Sequence, residues 1–249
     1  MPFAVWLASL AARRWGHAVS GWLGGFPMIG GPITLYLAID HGPEFAARSA
    51  LVTMAAVAGQ SAHMLAFSFA GRAVGAVAGL AAGWAAFACV SAVVGWLPLT
   101  PALALLIAAA GLAAMGKFLP HPRSATALPA IPPVELWLRL GAALALAAAI
   151  LFGASALGPT VSGILLSLPI TGSIMPPFTI ALYGPDALAR LQRGFITGLS
   201  GFIAFFFVVS ATVVELGTVA SFSLATAAAT ATVAIFPNAR RLRARSARG

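Results

Sequence analysis

Charge is scarce in this chain. Of its 249 residues only 8% are Asp, Glu, Lys or Arg, five of them acidic, while 61% are hydrophobic and the mean hydropathy is +0.99. A soluble domain carries about 25% charged residues, so a water-soluble globular fold is excluded. Cysteine is almost missing: Cys89 stands alone, which excludes an internal disulfide and a Cys-based metal site. It is expected to pack as a small apolar residue inside a span. Apolar–polar alternation over about ten residues, the mark of an outer-membrane barrel, does not occur. No Asp or Glu pair sits inside an apolar run to relay protons or sodium. No phosphate loop, HExxH or GxSxG is found, so neither enzyme chemistry nor a cofactor or metal is expected.

What is present is a series of apolar runs of some twenty residues from end to end. They predict an all-α, polytopic transmembrane helical bundle with about nine helical segments. These are 2–14 (short), 18–39, 44–70, 73–96, 100–119, 134–157, 160–182, 186–213 and 216–236. Each long one covers the ~30 Å hydrocarbon core at about 1.5 Å per residue. The stretch Leu119–Pro133 carries five prolines, which a helix interior does not tolerate, and reads as a linker.

The chain also repeats itself. Gly16–Arg48 aligns without a gap on Gly158–Arg190 at an offset of 142 (163 − 21). Val19-Ser20-Gly21 answers Val161-Ser162-Gly163, Pro27 answers Pro169, and Gly30 answers Gly172. Gly42-Pro43-Glu44 answers Gly184-Pro185-Asp186, and Arg48 answers Arg190. Polar and breaker residues in one register mark an internal duplication, a pointer to a transporter. The expected division is a first repeat unit over 1–98, an extra span and Pro-rich cytoplasmic linker over 99–133, a second unit over 134–238, and a basic tail over 239–249. Met1 maps onto Ala143, in the middle of a helix, so the first helix is either half-length or reflects a misplaced start.

The net charge of +9 does not point to nucleic acid. Arg240, Arg241, Arg243, Arg245 and Arg248 follow a span directly. Such a cluster holds that end in the cytoplasm; binding of a lipid headgroup or a partner is the other reading. Counting back from a cytoplasmic C-terminus puts Arg190 and Arg193, the linker, Arg72 and Arg13-Arg14 inside, with Arg48 outside. Repeat mates Arg48 and Arg190 thus fall on opposite sides. The unmatched span 100–119 inverts the second unit, giving inverted-topology repeats.

Each unit breaks its second helix. Gly24-Gly25-Phe26-Pro27 and Gly30-Gly31-Pro32 interrupt the first; Pro169, Gly172 and Pro176-Pro177 interrupt the second. In lipid, an unsatisfied backbone group costs several kcal/mol. Such breaks are either proline kinks with close glycine packing or paired discontinuous helices around a central site. On the second reading the site is Pro27, Gly30, Gly31, Thr34, Ser167, Pro169, Thr171, Gly172 and Ser173. Gln60 and His63, three apart on one face of the third span, add to it, His63 as a proton-coupling site. The other reading is structural, a histidine hydrogen-bonded to a neighbouring helix. Glu44/Arg48 and Asp186/Arg190 are read either as helix-start acids paired with an arginine four residues on or as gates at the two mouths. The last span, with Ser221, Ser223, Thr226, Thr230 and Thr232, reads as close helix packing.

The run Ser20-Gly21, Phe26-Pro27 and Gly42-Pro43-Glu44…Arg48, echoed by Leu168-Pro169 and Gly184-Pro185-Asp186…Arg190, resembles the GlpM-like four-span inner-membrane proteins over about 35 residues per half. The resemblance implies two fused copies of a small unit and an association with envelope polysaccharide production; it implies no substrate.

Together these features predict a multi-pass protein of the bacterial inner membrane with a cytoplasmic C-terminus. The expected function is secondary transport or facilitation of a small polar or anionic solute by alternating access at the midplane. The expected partners are the lipid bilayer, the solute, a coupled proton or sodium ion, and a second copy in a homodimer. A non-transporting scaffold for envelope polysaccharide assembly, and a channel, are the alternatives.

Overall fold

The computed structural model describes residues 16–123 and 133–246. The expected segment 2–14 lies outside the described residues, as do 124–132 and 247–249. Among the described residues the regular structure is all helical. This follows from an apolar solvent: a spanning helix satisfies its backbone groups internally.

The helices are α1 (His17–Gly25), α2 (Gly30–Asp40), α3 (Pro43–Ala55), α4 (Val57–Ala73), α5 (Ala76–Trp96), α6 (Pro101–Phe118), α7 (Pro133–Leu166) and α8 (Ile170–Ser246). Among the described residues five stretches are long and apolar enough to cross a membrane: His17–Asp40, Pro43–Ala73, Ala76–Trp96, Pro101–Phe118 and Ala156–Ile235. Gly158 bends α7, and Gly184 and Gly217 divide α8 into 170–183, 185–216 and 218–246. The expected boundaries 134–157, 160–182 and 186–213 match these bends within a few residues. The expected helix 44–70 is one rod with a local turn at Ala56.

Among the described residues six glycines have positive φ, where an L side chain is strained: Gly16, Gly42, Gly75, Gly158, Gly184 and Gly217. They fall into three pairs, and 158 − 16, 184 − 42 and 217 − 75 all equal 142. A helical segment begins directly after each of them. Pro43 and Pro101 open α3 and α6 at first-turn positions that need no N–H.

Packing follows the same spacing. α1 lies along 185–216, and 159–166 lies along α3. A Cβ at Gly21 would collide with the Leu191 carbonyl, and one at Gly163 would sit 2.6 Å from the Ser49 carbonyl oxygen; Ser49 and Leu191 are also 142 apart (191 − 49). These glycines let backbones touch. At the second contact the Thr53 hydroxyl reaches the Gly163 carbonyl at 3.0 Å, and the Ser49 hydroxyl donates to the Pro159 carbonyl at 3.2 Å.

The directions of the helices are fixed by contacts at their ends. Arg72, closing α4, donates to the Pro185 carbonyl at 2.7 Å. Pro43 begins the same rod, some 45 Å away at 1.5 Å per residue, so Pro43 and Pro185 lie at opposite ends of the bundle. At the Arg72 end, the His17 and Tyr183 rings meet at 4.9 Å. There too Arg193 donates to the carbonyls of Leu119 and Pro120, tying down the end of α6.

The main core gathers Phe195, Phe202, Phe205 and Phe206 with Met54, Met64 and Met115. A second cluster joins Ile33 and Leu37 to Ile150 and Leu166. Outward faces are apolar: Val77, Trp96, Phe152 and Val219 are almost wholly exposed. Two expectations change here. Cys89 faces outward rather than packing inside. Ser223, Thr226 and Thr230 are exposed and bond to carbonyls four residues back, so their hydroxyls are satisfied within the helix and join no interface among the described residues; Ser221 alone of this group is fully buried.

Candidate functional site

Each break has the same hydrogen-bond wiring. In the first, Phe26 N–H reaches the Leu23 carbonyl, Met28 N–H the Phe26 carbonyl and Gly31 N–H the Pro27 carbonyl. In the second, Leu168 reaches Leu165, Ile170 reaches Leu168 and Ser173 reaches Pro169. Every donor and acceptor in the second set lies 142 residues after its counterpart. Proline forces the shared form: Pro27 and Pro169 have no N–H, so each helix stops before its proline and restarts after it. The restart leaves the N–H groups of Ile29 and Gly30, and of Thr171 and Gly172, without a backbone acceptor.

The two breaks face one another across a cavity of about 80 Å³. This is several times the ~10–15 Å³ that one water needs. Ile29 and Gly30 line it from one break, Thr171 and Gly172 from the other. Gln60 reaches in from α4 and Phe202 from α8, again 142 apart (202 − 60). One wall is thus polar and the equivalent wall aromatic, with Phe195 beside Phe202.

Of the residues expected from the sequence, Gly30, Gln60, Pro169, Thr171 and Gly172 line this cavity. The others lie behind it. Pro27 is buried. Gly31 is covered by the Phe205 ring, 3.2 Å from where a Cβ would be. The Thr34 hydroxyl donates to the Gly30 carbonyl at 2.8 Å, and that of Ser167 to the Ile164 carbonyl at 2.7 Å. His63, fully buried, places Nε2 3.3 Å from the Gly172 carbonyl and 3.4 Å from the Ser173 hydroxyl. It therefore braces the second break from outside the cavity. Its counterpart Phe205 does the same at Gly31 of the first.

The proposed gating residues sit at the two ends. Glu44 and Arg48 are exposed in the first turns of α3 and make no ion pair with each other; long side chains in water gain little from one. Asp186 follows Pro185, whose carbonyl accepts from Arg72 at the end of α4. Arg190 keeps a buried Nε without a hydrogen-bond partner.

Ser20, Gly24, Met64, Phe195 and Phe202 line the cavity and were not expected. Ser20 was within the repeat, beside the Gly21 contact. The aromatic wall was legible as the counterparts of Gln60 and Thr53. Among the described residues no group of His, Cys, Asp and Glu is arranged to hold a metal. No family model, curated protein or solved structure matches this chain.

Proposed function

We propose that this chain is a membrane transporter or facilitator for a small polar or anionic solute, built from two duplicated units of inverted topology. The observation that carries the reading is the cavity between the two breaks, with the same wiring on both sides. Discontinuous helices around a midplane site are how many secondary transporters bind their substrates. The three glycine pairs at one spacing support duplication. The Arg72–Pro185 bond, which sets equivalent prolines at opposite ends, supports inversion.

In this reading the solute sits at the crossing of the breaks. Backbone groups and Gln60, Thr171 and Ser20 bind it, and relative movement of the two units exposes it alternately to each side. The solute must be small, because the cavity is. The arginine-rich end faces the cytoplasm by the positive-inside rule, and the membrane is a bacterial inner membrane. Arg72 and Arg193 then close the cytoplasmic end.

The test is uptake into liposomes reconstituted with Gln60→Leu and Thr171→Val proteins. Both keep volume while removing polar groups that line the cavity. A transporter loses saturable flux while the purified variants keep their wild-type melting temperature. A scaffold has no flux to lose, and a channel passes current that does not saturate.

A further inference from the structure

The rods 43–73 and 185–216 run antiparallel past the cavity, and they are packed differently at their two ends. We propose that they part at the Arg72 end, where Gln192 and Ser68 then line a water-filled cleft from the cavity to the cytoplasm, while the opposite end stays shut. The inference deepens the transport reading and rests on it for the solute that uses the cleft.

Gln192 is fully buried, and its Nε2 donates to the Met64 carbonyl at 3.0 Å. Met64 itself lines the cavity, its methyl end lying where a Gly172 Cβ would be. The other amide atom, Gln192 Oε1, finds no hydrogen-bond partner among the described residues. Ser68 stands one turn of α4 nearer to Arg72, ~6 Å along the axis. It too is fully buried, and its hydroxyl has no partner among the described residues. A helical serine can bond the carbonyl four residues back, here that of Met64, but Gln192 holds that carbonyl instead. The amide therefore lies beside Ser68, and each of these two buried groups has a bond unmade. One turn further on, Arg72 bonds the Pro185 carbonyl at an exposed rim, where water readily takes the place of such a bond.

The opposite end of the same two rods carries the equivalent positions, 142 residues removed. Gln192 answers to Ala50, Met64 to Phe206 and Ser68 to Ser210 (192 − 50, 206 − 64, 210 − 68). Ala50 and Phe206 are fully buried in the main core with Ala46, Val209 and Val213. The Ser210 hydroxyl donates to the Phe207 carbonyl at 2.9 Å. The hydroxyls of Ser49 and Thr53 on this side are bonded as well. Parting the rods here would expose apolar surface and satisfy no polar group. Parting them at the Arg72 end brings water to Gln192 Oε1 and Ser68 Oγ, which a dry interior leaves unpaired at a cost. The difference favours opening at that end. Because Met64 belongs to both the cavity wall and this end of the seam, the cleft leads directly into the cavity.

The test uses the full-length protein, without added solute, in right-side-out and inside-out vesicles. Ser68→Cys and Ala50→Cys are made singly in the Cys89→Ala background; both positions are fully buried in the closed form. A membrane-impermeant methanethiosulfonate should modify position 68 from the cytoplasmic side at least tenfold faster than it modifies position 50 from either side. Adding Gln192→Leu makes this end as apolar as the other. It should slow modification at position 68 at least tenfold without lowering the melting temperature. No modification at position 68 from that side, an equal rate at position 50, or a Gln192→Leu protein modified as fast as its parent would overturn the cleft. A Gln192→Leu protein that melts lower and is modified faster would make the amide a structural tie, and overturns the cleft too. Uptake of glycerol and of formate, a neutral and an anionic probe, into proteoliposomes is followed in parallel. Modification at position 68 without flux of either probe above protein-free liposomes supports the cleft and counts against transport. Saturable flux that Gln192→Leu leaves unchanged supports transport and overturns the cleft.

Discussion

Arg72 donates a 2.7 Å hydrogen bond to the carbonyl of Pro185. The arginine ends one long helix and the proline begins another, so the two helices run antiparallel side by side. Pro43, the residue 142 positions before Pro185, starts the helix that Arg72 ends. Equivalent prolines are therefore a helix length apart. In a Cys89→Ala background, Arg72→Cys with Pro185→Cys should be joined by a bifunctional thiol reagent about as long as an arginine side chain. Pro43→Cys with Pro185→Cys should stay unlinked. Linking of the second pair and not the first would contradict the arrangement.

The glycine contacts predict paired defects. Gly21→Ala drives a Cβ into the Leu191 carbonyl, and Gly163→Ala drives one into that of Ser49. Neither neighbour is a flexible side-chain end that can turn aside. Each substitution should cost about 1–3 kcal/mol, the range for overpacking, read as a lower melting temperature. Gly141→Ala is the control: nothing lies within 4 Å of its Cβ position, so it should not destabilise.

His63 predicts a split between charge and bonding. Its Nε2 lies 3.3 Å from the Gly172 carbonyl in a fully buried position. His63→Gln keeps a donor within reach of that carbonyl and should hold the fold. His63→Leu leaves the carbonyl bare at a cost of about 1–3 kcal/mol. If the imidazole couples transport to protons, His63→Gln abolishes the pH dependence of flux; an unchanged pH profile in that variant ends the coupling role.

The Arg193 clamp predicts a loose end. Removing it with Arg193→Ala frees the carbonyls of Leu119 and Pro120 at the end of α6. Hydrogen bonds to charged groups contribute about 1.5–3 kcal/mol, less where water competes. Faster proteolysis near His121, with the bundle's helicity unchanged in circular dichroism, is the expected result.

Much of the architecture was legible because lipid leaves few choices. Apolar runs of spanning length gave the helices, and Gly16, Gly42, Gly158 and Gly184 marked turns inside the aligned stretches. Gly75 and Gly217 lay beyond them, where apolar residues substitute freely and hide a register. The breaks were visible at Pro27 and Pro169, since nothing else in a membrane helix removes an N–H. Which hydroxyls would face the cavity was not legible. Thr34 and Ser167 lie at the right depth, yet their hydroxyls turn back onto carbonyls four and three residues earlier. Thr171 and Ser20 make no such bond and line the cavity instead. That choice depends on rotamers set by neighbouring helices, which a single sequence does not display.

The most direct test of the whole account is the sidedness of two equivalent positions. Glu44→Cys and Asp186→Cys are made singly in the Cys89→Ala background and exposed to a membrane-impermeant maleimide in right-side-out and inside-out vesicles. Inverted units predict that position 44 labels from the outside and position 186 from the cytoplasmic side. Labelling of both from the same side would contradict the inversion, and with it a site formed where two broken helices cross.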